Sequence, residues 1–148
     1  MTVKAILDRK GTDVATIEAT ADLAAAVKLL AARRIGALVV IDSDQRVAGI
    51  ISERDVIREL AERGAAALEQ LVGQVMTRKV VTCNRAETMS SIMELMSGGK
   101  FRHLPVVEEG HLIGIVSIGD VVKHRVQEIE LESATLRDYI RNAYGEFI

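Results

Sequence analysis

The chain has 148 residues, 49% hydrophobic and 27% charged, with 3% aromatics, one Pro and one Cys, which excludes a disordered tail, a collagen-like fibre and a disulfide-stapled secreted domain. Its formal charge is −2, and residues 1–68 balance ten basic against ten acidic groups, so neither half has the cationic excess that binding a nucleic-acid backbone requires. A chain of this length buries roughly 70% of the surface its unfolded form exposes, enough for one full core or two small ones.

The longest apolar stretches, such as Ile35 to Ile41, run seven residues, far short of the ~20 a bilayer-spanning helix needs. No secretory signal is visible at Met1 to Lys4 and Cys83 has no partner, so the expectation is a cytoplasmic protein with no membrane contact.

In chain order, Val3 to Leu7 opens the sequence and Asp8 to Asp13 reads as a loop. Val14 to Ile17 is a short β-type segment, and Leu23, Val27 and Leu30 mark an amphipathic helix. Ala37 to Ile41 and Val47 to Ile51, separated by Asp42 to Arg46, predict an antiparallel hairpin, and a helix follows from Asp55 to Arg63 with Gly64 at its C′ position. The same order then recurs: Val80 to Cys83, a helix with core spacing at Met89, Met93 and Met96, a hairpin from Leu104 to Val107 and Leu112 to Val116, and a helix from Asp120. The last segment carries apolar residues at Val122, Val126, Ile129, Leu136 and Ile140 between Glu128, Glu130 and Glu132, which suits a helix with one buried stripe.

The recurrence is a tandem duplication. Gly49-Ile50-Ile51-Ser52-Glu53-Arg54-Asp55 lies over Gly114-Ile115-Val116-Ser117-Ile118-Gly119-Asp120, 65 residues on. Leu38 to Asp42 lies over Leu104 to Glu108, Thr16 over Thr82, and Val3 to Leu7 over Val72 to Met76. The expected fold is α/β (α+β): two β-α-β-β-α units, at 1–68 and 69–126, with a helical extension at 127–148. A unit near 60 residues with one bare sheet face is marginal alone, so the two should pack through their sheets.

The repeated string Gly-h-h-Ser-x-x-Asp, with h apolar, resembles a capping box at a strand-to-helix junction. Found twice, and with Gly49 and Gly114 leaving room beside a helix N-terminus, it also suits an anion. An Asp there can accept from the two hydroxyls of a ribose.

These strings are similar to the signature of CBS domains, here a tandem pair (Bateman module). Leu104-Pro105-Val106-Val107 after Arg102-His103, and Leu38-Val39-Val40-Ile41 after Arg33-Arg34, add to the likeness. The resemblance implies two clefts related by pseudo-two-fold symmetry that commonly bind adenosine derivatives, regulation rather than catalysis, and homodimers in a flat disc. Carried over, it gives ribose contacts to Asp55 and Asp120, phosphate contacts to Ser52, Ser117, Arg102 and His103, and adenine to Val14 to Thr16 (Ala15, Thr16) and Val80 to Thr82 (Val81, Thr82), with Ile35 and Phe101 lining. Two departures, Gly36-Ala37 against Arg102-His103 and Gly119 against Arg54, place Ala37, Gly119 and Arg54 among positions that should make the clefts differ. AMP or ATP is the expected ligand, NAD(H) a possible larger one, and an unidentified downstream protein the receiver.

Lys10, in the longer first loop, reads either as a phosphate contact or as a solvated cation. His103 beside Arg102 precedes a buried strand, where an unpaired cation is costly and an anion would resolve it. Gly98-Gly99-Lys100 lacks the remaining residues of a P-loop and reads as a helix C-cap. The three His residues and Cys83 share no ligand spacing, so no metal is expected. Two rivals stand beside the sensor: a structural dimerisation module whose strings are only caps, and a nucleotide hydrolase using Asp55 or Asp120.

Overall fold

The structure, a computed structural model, describes residues 1–99 and 101–144. Lys100 of the Gly98-Gly99-Lys100 reading, and residues 145–148 of the extension, lie outside the described residues. Among the described residues the order is α1 (Val3–Lys10), β1 (Thr16–Glu18), α2 (Leu23–Arg33), β2 (Ala37–Ile41), β3 (Val47–Ser52), α3 (Glu53–Arg63), a 3-10 turn (Gly64–Glu69), α4 (Val72–Val75), α5 (Met89–Gly99), β4 (His103–Glu108), β5 (His111–Ser117) and α6 (Ile118–Tyr144). This is the mixed α/β pattern read from the repeat. Its first correction is local: Asp8 to Lys10 continue α1 rather than opening a loop, so Lys10 ends a helix.

The first sheet runs β1-β2-β3, with β1 parallel to β2 and β2 antiparallel to β3. Asp22 starts the crossover helix α2 by accepting from the Ala25 N–H at 2.9 Å, and Arg34, with φ 55°, ends it. The hairpin closes on Asp42, whose Oδ1 accepts from the Asp44 and Arg46 N–H groups, an Asx arrangement suited to a tight turn. The second sheet is β4-β5, and the strand expected at Val80 to Cys83 shrinks to one parallel bridge between Cys83 and Val106.

Pro105 accounts for that loss. In the first repeat the Val39 N–H donates to the Ala15 carbonyl at 3.2 Å. The counterparts 66 residues on are Pro105 and Val81, and proline has no N–H to give. The ladder therefore survives only at Cys83, through Cys83 N–H to the Pro105 carbonyl at 3.0 Å and Val107 N–H to the Cys83 carbonyl at 2.9 Å.

Two cores form, and each takes its opening helix from the opposite repeat. Val3, Ile6 and Leu7 of α1 pack with Ile92, Leu104 and Val116, whereas Val72 and Val75 of α4, with Met76, pack with Leu23, Leu38 and Ile51. Matched hydrogen bonds pin the exchange: Val3 N–H to the Glu87 carbonyl at 2.9 Å, and Val72 N–H to the Ala21 carbonyl at 2.8 Å. This crossing also explains the two glycines. A Cβ on Gly49 would meet Met76 Sδ at 2.6 Å and the Thr77 carbonyl oxygen at 2.8 Å, and one on Gly114 would meet Leu7 Cδ2 at 2.7 Å. They admit the exchanged helix segment, which corrects their assignment to an anion.

The sheet faces turned from the helices are covered too. Ala37 and Val39 share a face of β2, and Ile115, paired with Pro105, shares the corresponding face of β5 and β4. Val39 and Pro105 are fully buried. Ala37 and Ile115 line one cavity, so the two faces look toward each other. In α5, Met89, Ile92 and Met96 form the buried stripe, and Met93 is 43% exposed, which corrects its place in the core.

Candidate functional site

Both repeated strings build reciprocal caps. At the start of α3, the Asp55 N–H donates to Ser52 Oγ at 3.3 Å and Asp55 Oδ2 accepts from the Ser52 N–H at 2.9 Å. At the start of α6, the Asp120 N–H donates to Ser117 Oγ at 3.1 Å and Asp120 Oδ2 accepts from the Ser117 N–H at 2.8 Å. Each cap satisfies helix-start N–H groups that otherwise lack partners.

Beyond the caps the two differ. Arg58, on the same helix, takes the remaining Asp55 oxygen at 3.0 Å. Asp120 instead meets Lys10 from the opposite repeat, with Lys10 Nζ 2.6 Å from Oδ2 and 3.0 Å from the Ile115 carbonyl. Lys10 also lines a cleft of about 470 Å³ between the repeats. Ala15, Ile35, Ala37 and Ile115 give it apolar walls, and Lys10, Arg33, Arg34, His103 and Ser117 give it donors. Arg33 reaches Asp13 Oδ2 at 3.1 Å, leaving the lining with more positive than negative charge.

Burial pushes the Asp120 carboxyl up, but the bonds from Lys10 and Ser117 outweigh it and hold the group below the usual carboxylate range. Burial lowers the His103 imidazole, the Lys10 cation lowers it further, and Asp120 and Glu53 oppose them. The net effect holds His103 below the ordinary imidazole value, which is the direction expected where a cation would be costly. Its ring lies by Gly36, whose Cβ would stand 3.7 Å from His103 Cε1 and 3.4 Å from Glu53 Oε1.

Of the residues singled out from sequence, the cleft gathers Lys10, Ala15, Ile35, Ala37, His103 and Ser117, with Asp120 joined to it through Lys10. Thr16 lines an adjoining cavity of about 370 Å³, which shares Val14 and Asp13 with the cleft. Ser52 and Asp55 stand at the other helix start; Arg54, Arg102 and Gly119 are exposed, Thr82 is half-buried, and Val81 and Phe101 pack on the second core. Sequence reading missed Ile115 and Asp13. Strand alternation was the available signal for Ile115, since it lies across from Pro105 on the inward face.

The sequence profile described as "CBS domain" matches residues 3–62 and again 72–127. The chain belongs to the CBS domain family. It is similar to a CBS-domain containing protein of Agrobacterium tumefaciens, ATU1752, with 50% identity and a TM-score of 0.81 over 84% of this chain and 99% of that one. A solved CBS domain pair, that of protein MJ0100 in complex with 5′-methylthioadenosine and S-adenosyl-L-methionine, superposes with a TM-score of 0.78 at 25% identity, covering 86% of this chain and 98% of that one. Among curated relatives, the mitochondrial CBS domain-containing protein CBSX3 of Arabidopsis thaliana is 38% identical over 80% of this chain, which spans 60% of that protein's length. The tandem arrangement and the C-terminal helix agree with these CBS pairs. No described helix is long and apolar enough to cross a membrane.

Proposed function

We propose that this CBS pair is a regulatory module that binds a phosphorylated adenosine, AMP or ATP, in the cleft between its repeats, with NAD(H) as a larger alternative. The observation that carries the reading is the pairing of Lys10, which lines the cleft, with Asp120, a contact that joins the end of α1 to the start of α6 across the two repeats. A ribose would draw on the Asp120 carboxylate, and a phosphate would draw Lys10 toward itself, beside Arg33, Arg34 and the Ser117 hydroxyl. A related CBS pair holds adenosine derivatives; the surplus positive charge of this lining favours a phosphate over a sulfonium cation.

Exchanging the Lys10–Asp120 pair for ligand contacts would shift α1, and α1 is packed into the second core. Such an exchange is a route from occupancy to packing, and coupling of about 1–3 kcal/mol is enough for a working switch. In this reading the chain acts as a cytoplasmic homodimer and passes its state to a downstream protein without catalysing a reaction. Its units are those read from the repeat, 1–68, 69–126 and 127–148. Asp55, whose oxygens are taken up by Ser52 and Arg58, is a structural cap rather than a second ribose contact.

Calorimetry with AMP, ATP and NAD tests this. Asp120→Ala should weaken the tightest of them at least tenfold and Lys10→Ala several-fold, with Asp55→Ala within about threefold of the parent. A folded Asp120→Ala chain with unchanged affinity, or a parent that binds none of the three, overturns the proposal.

A further inference from the structure

The helix α6 is 27 residues long, about 40 Å at 1.5 Å per residue. Its first turns lie on the module through Val121 and His124, which are buried. From Ile129 to Ala143 no residue is buried, and a stretch of that length without tertiary packing is marginal in water. Something must cover it.

The pattern along α6 says what. Val122, Val126, Ile129, Ser133, Leu136 and Ile140 recur at alternating steps of four and three, the repeat of a coiled-coil seam. Val126, Ser133 and Ile140 fall at a positions and Val122, Ile129 and Leu136 at d positions. Val122, Val126, Ile129 and Leu136 are 47–59% exposed, on the side of the helix opposite Val121 and His124. Val126 and Ile140 at a with Leu136 at d match the two-stranded pattern, β-branched Val122 and Ile129 at the other d positions depart from it, and Ser133 is the one polar a residue.

Charges flanking the seam choose the orientation. The g positions hold Arg125 and Glu132, and the e positions hold Lys123, Glu130 and Arg137. In a parallel pair each g residue faces the e residue five positions on in the other strand, which sets Arg125 against Glu130 and Glu132 against Arg137, opposite charges both times. In a fully overlapped antiparallel pair, g faces g and e faces e: Glu132 meets Glu132, Glu130 meets Glu130 and Lys123 meets Arg137, like charges three times. We infer that α6 is the docking face for a second copy of this chain, whose own α6 runs parallel to it in a two-stranded coiled coil. Because Val122 and Val126 lie on the part of α6 seated on the module, the pairing also brings the α5–α6 faces of the two chains together.

This deepens the homodimer part of the proposed function and rests on it. The full chain should sediment as a dimer at tens of micromolar. Ile129→Asp with Leu136→Asp, both at exposed positions, should leave the far-ultraviolet spectrum and melting of the module in place and weaken association at least 100-fold. Arg137→Glu should weaken it about tenfold, and adding Glu132→Arg should restore it. Leu136→Cys should form an interchain disulfide on mild oxidation, which the parent, whose Cys83 is buried, should not. A monomeric parent overturns both this inference and the homodimer. A double-Asp chain that dimerises as tightly as the parent overturns the seam while the homodimer stands. Cross-linking of a Val126→Cys and Leu136→Cys mixture but not of Leu136→Cys alone overturns the parallel orientation.

Discussion

Ser52–Asp55 and Ser117–Asp120 are the same motif, and their caps agree closely: the Ser N–H to Asp Oδ2 distance is 2.9 Å in one and 2.8 Å in the other. They part at the next contact. Asp55 is tied to Arg58 three residues along its own helix, and its side chain is 9% exposed; Asp120 is tied to Lys10 from the far repeat, and its side chain is 23% exposed at the edge of a cleft. The cap is a local construction that four residues specify. What each carboxylate meets next is set by a neighbour three residues along its own helix in one repeat and 110 residues away in the other.

The glycines offer the strongest way to break the two-fold likeness. Gly49→Ala would drive a methyl group into Met76 and the Thr77 carbonyl, and Thr77 is held by paired hydrogen bonds to Ile50. For Gly114→Ala the three nearest atoms all belong to the Leu7 side chain, which can turn. Overpacking of this kind costs about 1–3 kcal/mol, so Gly49→Ala should lose about 3 kcal/mol in urea unfolding and Gly114→Ala about 1 kcal/mol. Equal losses would mean that the crossing segments yield equally in both repeats.

Next in size are the caps themselves. Asp55→Ala leaves the Ser52 N–H and the Arg58 guanidinium without their buried partner and should cost about 2 kcal/mol, whereas Asp120→Ala, at a wetter position, should cost about 1 kcal/mol. Thermal melts of the two variants, without ligand, check the order. A larger loss at Asp120 would show that the Lys10 contact holds the repeats together more strongly than its exposure suggests.

Most of the fold was legible because the duplication wrote it twice. Hairpins, caps and the crossover helices follow from spacing, and the first repeat's β2, Ala37 to Ile41, falls within the residues its apolar run marks. What escaped was long-range. Nothing in Val3 to Leu7 says that it packs on the other repeat, and the space at Gly49 and Gly114 looks the same whether a phosphate or a Met side chain fills it. Met93 was lost to a neighbour: Ile92, one residue earlier, lies on the buried face. Pro105 was in view throughout, but its effect on the strand at Val80 to Cys83 needs the parallel register, which only the three-dimensional arrangement supplies. At the site, apolar walls and donors were readable by likeness, and the partner of each carboxylate was not.

The smallest expected effect separates the two repeats by pH. His103 exists in only one repeat, since its counterpart is Ala37. Its imidazole is held below the usual value, first by burial and then by Lys10. A chain unfolding near pH 6 therefore takes up a proton that the folded chain refuses, so stability falls as pH drops below the ordinary His value of about 6.5. His103→Gln should flatten that slope between pH 6.5 and 5 in chemical unfolding. The Asp120 carboxyl is depressed in the folded chain, so its contribution is complete above about pH 4 and lost only as pH falls further. The two groups thus act in separate windows, and an acid slope that persists in His103→Gln above pH 5 would assign it to a group other than this cleft histidine.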